Sequence, residues 1–418
     1  MRVINQPFGE QLGNVLLDLL KDSEYNNFTC FVAFAKNSGV LRLKDAFDVF
    51  RSNGGKITAF IGVDLNGTSY EALTNLMSCI DNLYVVHFEG GQTFHPKFYF
   101  FEGKTKDTLI VGSNNLTGGG LWTNCESSIL IDSERMEDDS SIVQLEFERC
   151  LRDVTGVGKS CLHIESQDQL DKLFQNGYLA KEIVESIRRV KERKKANNRS
   201  SIEGIFNNGV SARIPSLRRS PETSQEEIQE AEPIQSDSSA QNDQQINSDE
   251  SFQSIWIYSG AMTGGSRNIL DLSKKSRLVS GNPTGTVFST GEQGFIVGSV
   301  AFFGVDPYDE TKTKDIIINY EGKDFFENTI LFANDNGTWR MQIKGTDSGG
   351  KKITDLFREK GENYLVSKIL SFTKITEDYY VLSVSPADMI NEFIDASFLV
   401  ARNGVSPNSK QCGIIKTN

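Results

Sequence analysis

The chain has 418 residues, 38% of them hydrophobic, and a formal net charge of -12 at pH 7. That length accommodates two or three domains with ordinary cores. No apolar run is long enough to cross a bilayer and Met1–Pro7 lacks the charged and apolar regions of a secretion signal, so a cytoplasmic protein with no membrane partner is expected.

The six cysteines, at 30, 79, 125, 150, 161 and 412, form no Cys-x-x-Cys pair, which argues against structural zinc and predicts buried reduced thiols.

The first part alternates helical and strand patterns. An amphipathic stretch from Phe8 to Lys21 is followed by a strand at Thr29 to Ala35, a helix near Val40 to Arg51 and a strand at Lys56 to Val63. A helix around Tyr70 to Ile80 and a strand at Asn82 to Phe88 come next, the order of an α/β layer with a largely buried sheet. Two apolar runs then carry chemistry. His95 and Lys97 open Phe98-Tyr99-Phe100-Phe101, so the period of 2 puts both on one face, where a single anion could touch both. Ser113 and Asn115 close Leu109-Ile110-Val111, and the same rule pairs a hydroxyl with an amide. Glu126 follows. Glycines 118 to 120 lack the Lys-Ser/Thr of a phosphate loop and read as a flexible turn.

These groups suit phosphoryl transfer. An imidazole attacks phosphorus, while an ammonium, a hydroxyl and an amide stabilise charge on the non-bridging oxygens, with no metal or other cofactor required. A His-x-Lys alone is common in structural strands; the combination with Ser113, Asn115 and Glu126 is what singles it out. The chain has three histidines, His87, His95 and His163, and only His95 has a lysine two residues later.

Farther along, residues from about Gln167 to Asn198 read as helical and end in a basic run. Lys181 to Arg219 holds eleven basic residues against four acids, whereas Pro221 to Ser251 holds nine acids and no Lys or Arg. That tract carries all but three of the net negative charges, so acidity does not exclude a nucleic-acid partner. Residues 200 to 251, rich in Ser, Gln, Asn, Asp and Glu, read as a linker. Its acidic half, placed in a basic cleft, would compete with substrate, and deleting residues 221 to 250 would then raise basal activity.

From about Phe252 the texture changes to short strands, such as Ser254 to Tyr258, Gly294 to Phe303, Asp315 to Tyr320 and Tyr379 to Val384, with helices around Asp355 to Glu359 and Ala387 to Phe393, which predicts a β-rich barrel. Two places suit nucleic acid. One is Thr263-Gly264-Gly265-Ser266-Arg267-Asn268 with Lys274, Lys275 and Arg277; the other is Trp339 to Lys344, where alternation turns Trp339, Met341 and Ile343 inward and Arg340, Gln342 and Lys344 outward.

The run His95-x-Lys97, an acid, Gly112-Ser113-x-Asn115 and Glu126 resembles the HKD signature of the phospholipase D superfamily. The family's acid is an Asp five residues after the lysine; Glu102 stands there in this chain, and Asp107 is the other candidate. The resemblance implies that a second copy of the same histidine protonates the leaving oxygen. With one motif per chain, that copy must come from another subunit, giving an isologous homodimer with one composite active site. Nearly the whole chain resembles the NgoFVII and BfiI group of restriction endonucleases, most strongly over His95 to Thr117 with Glu126 and less specifically over Met262 to Leu272 with Gly337 to Gly345. The implied fold is an α/β phospholipase D-like domain over residues 1–165, a basic helix and acidic linker over 166–251, and a β-rich pseudobarrel DNA-recognition domain over 252–418. The implied activity is metal-independent, sequence-specific cleavage of double-stranded DNA through a phosphohistidine. His95 attacks, Lys97, Ser113 and Asn115 hold the phosphoryl oxygens, and Glu126 orients the imidazole. The resemblance admits a separate methyltransferase or an ATP-driven translocase as a further partner.

Other readings stay open on sequence alone. A phospholipase or phosphatidyltransferase would be expected to carry two motifs and an amphipathic membrane-binding surface. A general phosphodiesterase or non-specific nuclease leaves the carboxy-terminal domain unexplained. A DNA-binding protein without cleavage activity leaves the intact catalytic set unexplained.

Overall fold

The structure, a computed structural model, describes residues 1–135, 141–197, 212, 214, 215, 217, 253–262 and 267–416. The acidic tract and the glycine pair at 264 and 265 lie outside the described residues. The chain divides into two compact units, Met1–Leu217 with Glu321–Lys323, and Arg218–Tyr320 with Asp324–Asn418.

The first unit runs β1 (Arg2–Gln6), α1 (Leu12–Lys21), β2 (Tyr25–Val32), α2 (Asn37–Ser52), β3 (Lys56–Gly62), α3 (Tyr70–Cys79) and β4 (Asn82–Val86). It continues with β5 (Lys97–Gly103), β6 (Lys106–Gly112), β7 (Glu126–Glu134), α4 (Ile142–Thr155), β8 (Cys161–Ile164), α5 (Gln167–Gln175) and α6 (Glu182–Asn197). The eight strands form one sheet in the order β1-β7-β6-β5-β2-β3-β4-β8. β2, β3 and β4 run parallel and the remaining pairs antiparallel.

Helix α1 shows why the layers form: Leu12, Leu16 and Leu20 recur every fourth residue, lie on one face and are all buried. With Leu43 and Phe47 of α2 and Leu73 and Leu76 of α3 they cover Phe28, Tyr99 and Phe101 on one side of the sheet. The other side is covered by α4, whose Phe147 ring stacks on Phe100 at 4.1 Å. Each such fully buried aromatic contributes roughly 1.5–3 kcal/mol over an exposed one. Leu170 of α5 belongs to the first of these cores, so the compact unit continues past residue 165. The expected strand at Thr29 to Ala35 is instead β2, starting at Tyr25, and β1, β7, β8 and α4 were not anticipated.

The second unit comprises β9 (Gln253–Tyr258), β10 (Ile269–Leu272), β11 (Lys275–Gly281), β12 (Phe295–Val297), β13 (Thr313–Tyr320), β14 (Lys323–Ala333), β15 (Thr338–Gln342), α7 (Ile353–Glu359), β16 (Lys368–Lys374), β17 (Tyr379–Pro386), α8 (Ile390–Ala396), β18 (Leu399–Arg402) and β19 (Gln411–Lys416). Its sheet order is β10-β15-β14-β13-β17-β16-β9-β19-β18-β11-β12. β10, at one end, reaches β11, next to the other end, through Ser273 and Lys274 alone, so the sheet must curl until its ends approach. Asn403, just after β18, donates from Nδ2 to the Asp271 carbonyl of β10 across that closure at 2.7 Å. Trp339, Met341 and Ile343 fill the interior and are fully buried, as the alternation predicts. The strand expected over Gly294 to Phe303 shrinks to β12: a Cβ on Gly298 would sit 1.9 Å from the Ser273 carbonyl oxygen, and after this close approach the chain turns into a short 3-10 segment, Ser299–Phe303.

None of the six cysteines forms a disulfide, but Cys125 is exposed, contrary to the expectation of buried thiols. Among the described residues no helix is long and apolar enough to cross a membrane.

Candidate active site

The site residues gather where the amino ends of β5 and β7 meet the carboxyl ends of β2 and β6, since Lys97 pairs with Val32, Phe98 with Val111 and Gly112 with Ser128. Ligands of open α/β sheets bind outside the carboxyl ends of parallel strands. Pro96 has no N–H and biases His95 toward extended backbone, so ladder pairing begins at Lys97 and His95 stands just beyond the strand.

His95 is exposed and Lys97 is 9% exposed. The Lys97 stem lies on the same face as Tyr99, and its ammonium comes within 2.6 Å of His95 Nδ1, 2.9 Å of Nε2 and 3.1 Å of the His95 carbonyl oxygen. Burial pushes the Lys97 pKa below its usual value, and the Glu126 charge opposes that shift. The Phe34 ring meets the imidazole edge to face at 5.6 Å.

The Ser113 hydroxyl donates to Glu126 Oε2 and accepts the Ser127 N–H at 3.1 Å. A Cβ on Gly112 would lie 2.0 Å from Ser128 Oγ, so glycine is required immediately before this serine. Asn115 Oδ1 accepts the Phe34 N–H at 3.1 Å, which fixes the amide and leaves Nδ2 as the donating end. Its neighbour Asn114 is buried and structural: Nδ2 donates to the Gly120 carbonyl at 2.7 Å and the Tyr99 hydroxyl donates to the Asn114 carbonyl at 2.9 Å.

His95 with Lys97, Asn115 through Phe34, and Ser113 with Glu126 are thus brought to one end of the sheet. Glu126 accepts from Ser113 and, at 3.3 Å, from Asn124 Nδ2, while the group lying against the His95 ring is Lys97. Asn124 and Phe34 escaped the sequence reading. Asn124 sits two residues before Glu126, the spacing that could have marked it.

Glu102 and Asp107 both bind Arg135, at 2.9 and 3.1 Å, and Asp107 also accepts from Ser141 at 2.6 Å. They pair across the β5–β6 hairpin at the far end of β5, roughly 20 Å of strand from His95. Neither is part of the site. The glycines at 118–120 are not a simple flexible turn: Gly119–Thr123 is a single π-helical turn whose Trp122 is buried and donates to Asn14 Oδ1 at 3.0 Å.

No family model and no curated protein matches the chain. Among solved structures it is similar to Nuc, a phospholipase D family member from Salmonella typhimurium, at 17% identity over 40% of this chain and 97% of that one, with a TM-score of 0.29. NucT from Helicobacter pylori is similar at 12% identity, over 39% and 98% of the two chains, with a TM-score of 0.30. Phosphatidylserine synthase of Haemophilus influenzae Rd KW20 is similar at 15% identity, over 46% and 44%, also at 0.30.

The candidate nucleic-acid residues of the second unit fall into two groups. Arg340 and Gln342 lie on β15 and Lys344 just after it, beside Arg267 and Asn268 at the start of β10. Lys274, Lys275 and Arg277 lie across the β10–β11 connection. Several are engaged: Lys274 pairs with Glu310, Lys275 with Glu292, and Arg340 Nε with Asp271 at 3.3 Å. Asn268 Nδ2 donates to the Ile343 carbonyl at 2.9 Å, and Arg267 to the Met262 carbonyl at 2.8 Å. Partly exposed ion pairs of this kind are worth about 0–1 kcal/mol, so phosphate could displace them cheaply.

Proposed function

We propose that the chain is an HKD-type phosphodiesterase of the phospholipase D superfamily, a sequence-specific restriction endonuclease that cleaves double-stranded DNA through a phosphohistidine. The observation that carries this reading is the Lys97 ammonium against the His95 ring, at the same end of the sheet as Ser113, Asn115 and Glu126. The His95 imidazole attacks phosphorus; an N–P bond forms, the P–O bond to the leaving oxygen breaks, and a second imidazole gives that oxygen its proton. Water then attacks phosphorus, the second imidazole takes the water's proton, and the N–P bond breaks to release His95. Lys97 and Asn115 Nδ2 hold the non-bridging oxygens, and Ser113 joins them by turning its single hydroxyl proton from Glu126 to the phosphoryl group. Glu126 orients Ser113 and favours the charged form of Lys97.

The second imidazole is assigned to His95 of a second copy. Its support is an exposed apolar row beside the site: Val3, Ile129 and Val111 are cross-strand neighbours on β1, β7 and β6, exposed by 67, 43 and 45%. Ser113 lies two residues beyond Val111, so a copy seated on this row would reach the site. DNA specificity is assigned to the second unit, read as a pseudobarrel; its curled sheet and the outward Arg340, Gln342 and Lys344 support this.

The test is to quench a reaction with labelled DNA and look for label on protein. The reading expects an acid-labile, alkali-stable adduct on the native chain and none on His95→Ala. Label on both, or on neither while DNA is cut, contradicts it.

A further inference from the structure

We propose that Asp64 and His87 are positioning residues that hold His95 in line for attack; the proposal rests on the reading of His95 as the nucleophile. His95 lies at the end of the connection from β4 to β5. Residues 89 to 93 of that connection are all exposed and include two adjacent glycines, Gly90 and Gly91, so the connection has little of its own to fix the imidazole. One carboxylate grips both of its ends. Asp64 Oδ1 lies 2.7 Å from Nδ1 of His87, the first residue after β4, and Asp64 Oδ2 accepts the backbone N–H of Phe94, the residue before His95, at 3.0 Å.

Each end of the clip is itself held. Asp64 leads into a turn in which Leu65 and Asn66 take φ of +55 and +54, left-handed values that cost residues other than glycine about 1–3 kcal/mol each. The Asn66 carbonyl accepts from Lys36 Nζ at 3.1 Å, and the Gly67 N–H returns to the Asp64 carbonyl at 2.9 Å. The His87 N–H donates to the Ser160 carbonyl at 2.9 Å. Its ring meets Tyr178 edge to face at 5.1 Å, and its Nε2 lies 3.8 Å from Glu89 Oε2. A carboxylate only accepts, so His87 Nδ1 is the donor to Asp64. The imidazole here acts as a fixed N–H, and an asparagine amide can supply the same donor.

That equivalence supplies the test. The chain has only three histidines, so ring-labelled NMR of the full protein gives few imidazole signals, assigned by single substitutions. Asp64→Ala and His87→Ala should displace or split the His95 signal, leave that of His163 in place, and lower kcat for bis(4-nitrophenyl) phosphate roughly 10- to 100-fold at nearly constant KM. His87→Asn should return the His95 signal to its native position and restore most of kcat. An unmoved His95 signal in both alanine variants would overturn the proposal. So would a His87→Asn chain as impaired as His87→Ala, because the imidazole itself would then be needed. If the native chain hydrolyses no phosphodiester, the functional reading fails, and the NMR signals still decide whether Asp64 and His87 hold His95.

Discussion

The Lys97 ammonium lies within 2.9 Å of both ring nitrogens of His95, so in the substrate-free chain the cation covers the lone pair that is to attack phosphorus. On the proposed reading, an incoming phosphoryl oxygen would compete for the same ammonium and draw Lys97 off His95.

Replacing Lys97 should therefore separate activity from stability. Lys97→Met is expected to lower kcat about 10²–10³-fold. It should also raise the melting temperature by a few degrees, the usual trade at a working site. Because burial holds the Lys97 pKa below its usual value, the folded chain binds this proton less tightly than the unfolded one. The charged form then costs stability at neutral pH, and the cost fades as pH rises through the lowered value. Calorimetry across pH should show the gap between the two chains narrowing under alkaline conditions.

Glu126 opposes the downward shift of Lys97. Glu126→Gln should lower the Lys97 pKa further and move the alkaline limb of the pH profile of kcat/KM toward lower pH. An alkaline limb that stays in place while activity falls would assign Glu126 only to Ser113.

Asp107 belongs to a structural network. It is fully buried and bound by Arg135, Ser141 and the Gly103 N–H, so Asp107→Ala should cost about 3 kcal/mol. Chemical denaturation measures that loss. At low temperature the folded variant should keep native kcat, because the network lies at the opposite end of β5 from His95.

The apolar row on β1, β7 and β6 should be the contact between copies. Ile129→Asp is expected to sediment as a monomer and to lose activity that returns only partly at high protein concentration. A monomeric variant with native kcat would show that one chain contains the whole site.

The candidate catalytic residues were legible because strand periodicity and the spacing of His95, Lys97, Ser113, Asn115 and Glu126 lie in the sequence itself. β7 was missed because Glu-Ser-Ser precedes its short apolar stretch, and its pairing partners, residues 2–6 and 106–112, are set by the fold. Spacing alone does not choose between Glu102 and Asp107, and the fold keeps both out of the site by binding them to Arg135 at the far end of β5. The Asp64 contacts to His87 and Phe94 join residues 23 and 30 apart, which no local pattern reveals.

The most direct test is cleavage of supercoiled plasmid DNA in excess EDTA by the native chain and by His95→Ala, followed on a gel over time. The account predicts discrete fragments from the native chain alone, preceded by a nicked form as one composite site cuts the two strands in turn. Cleavage by both chains, or native cleavage that EDTA abolishes, would contradict it.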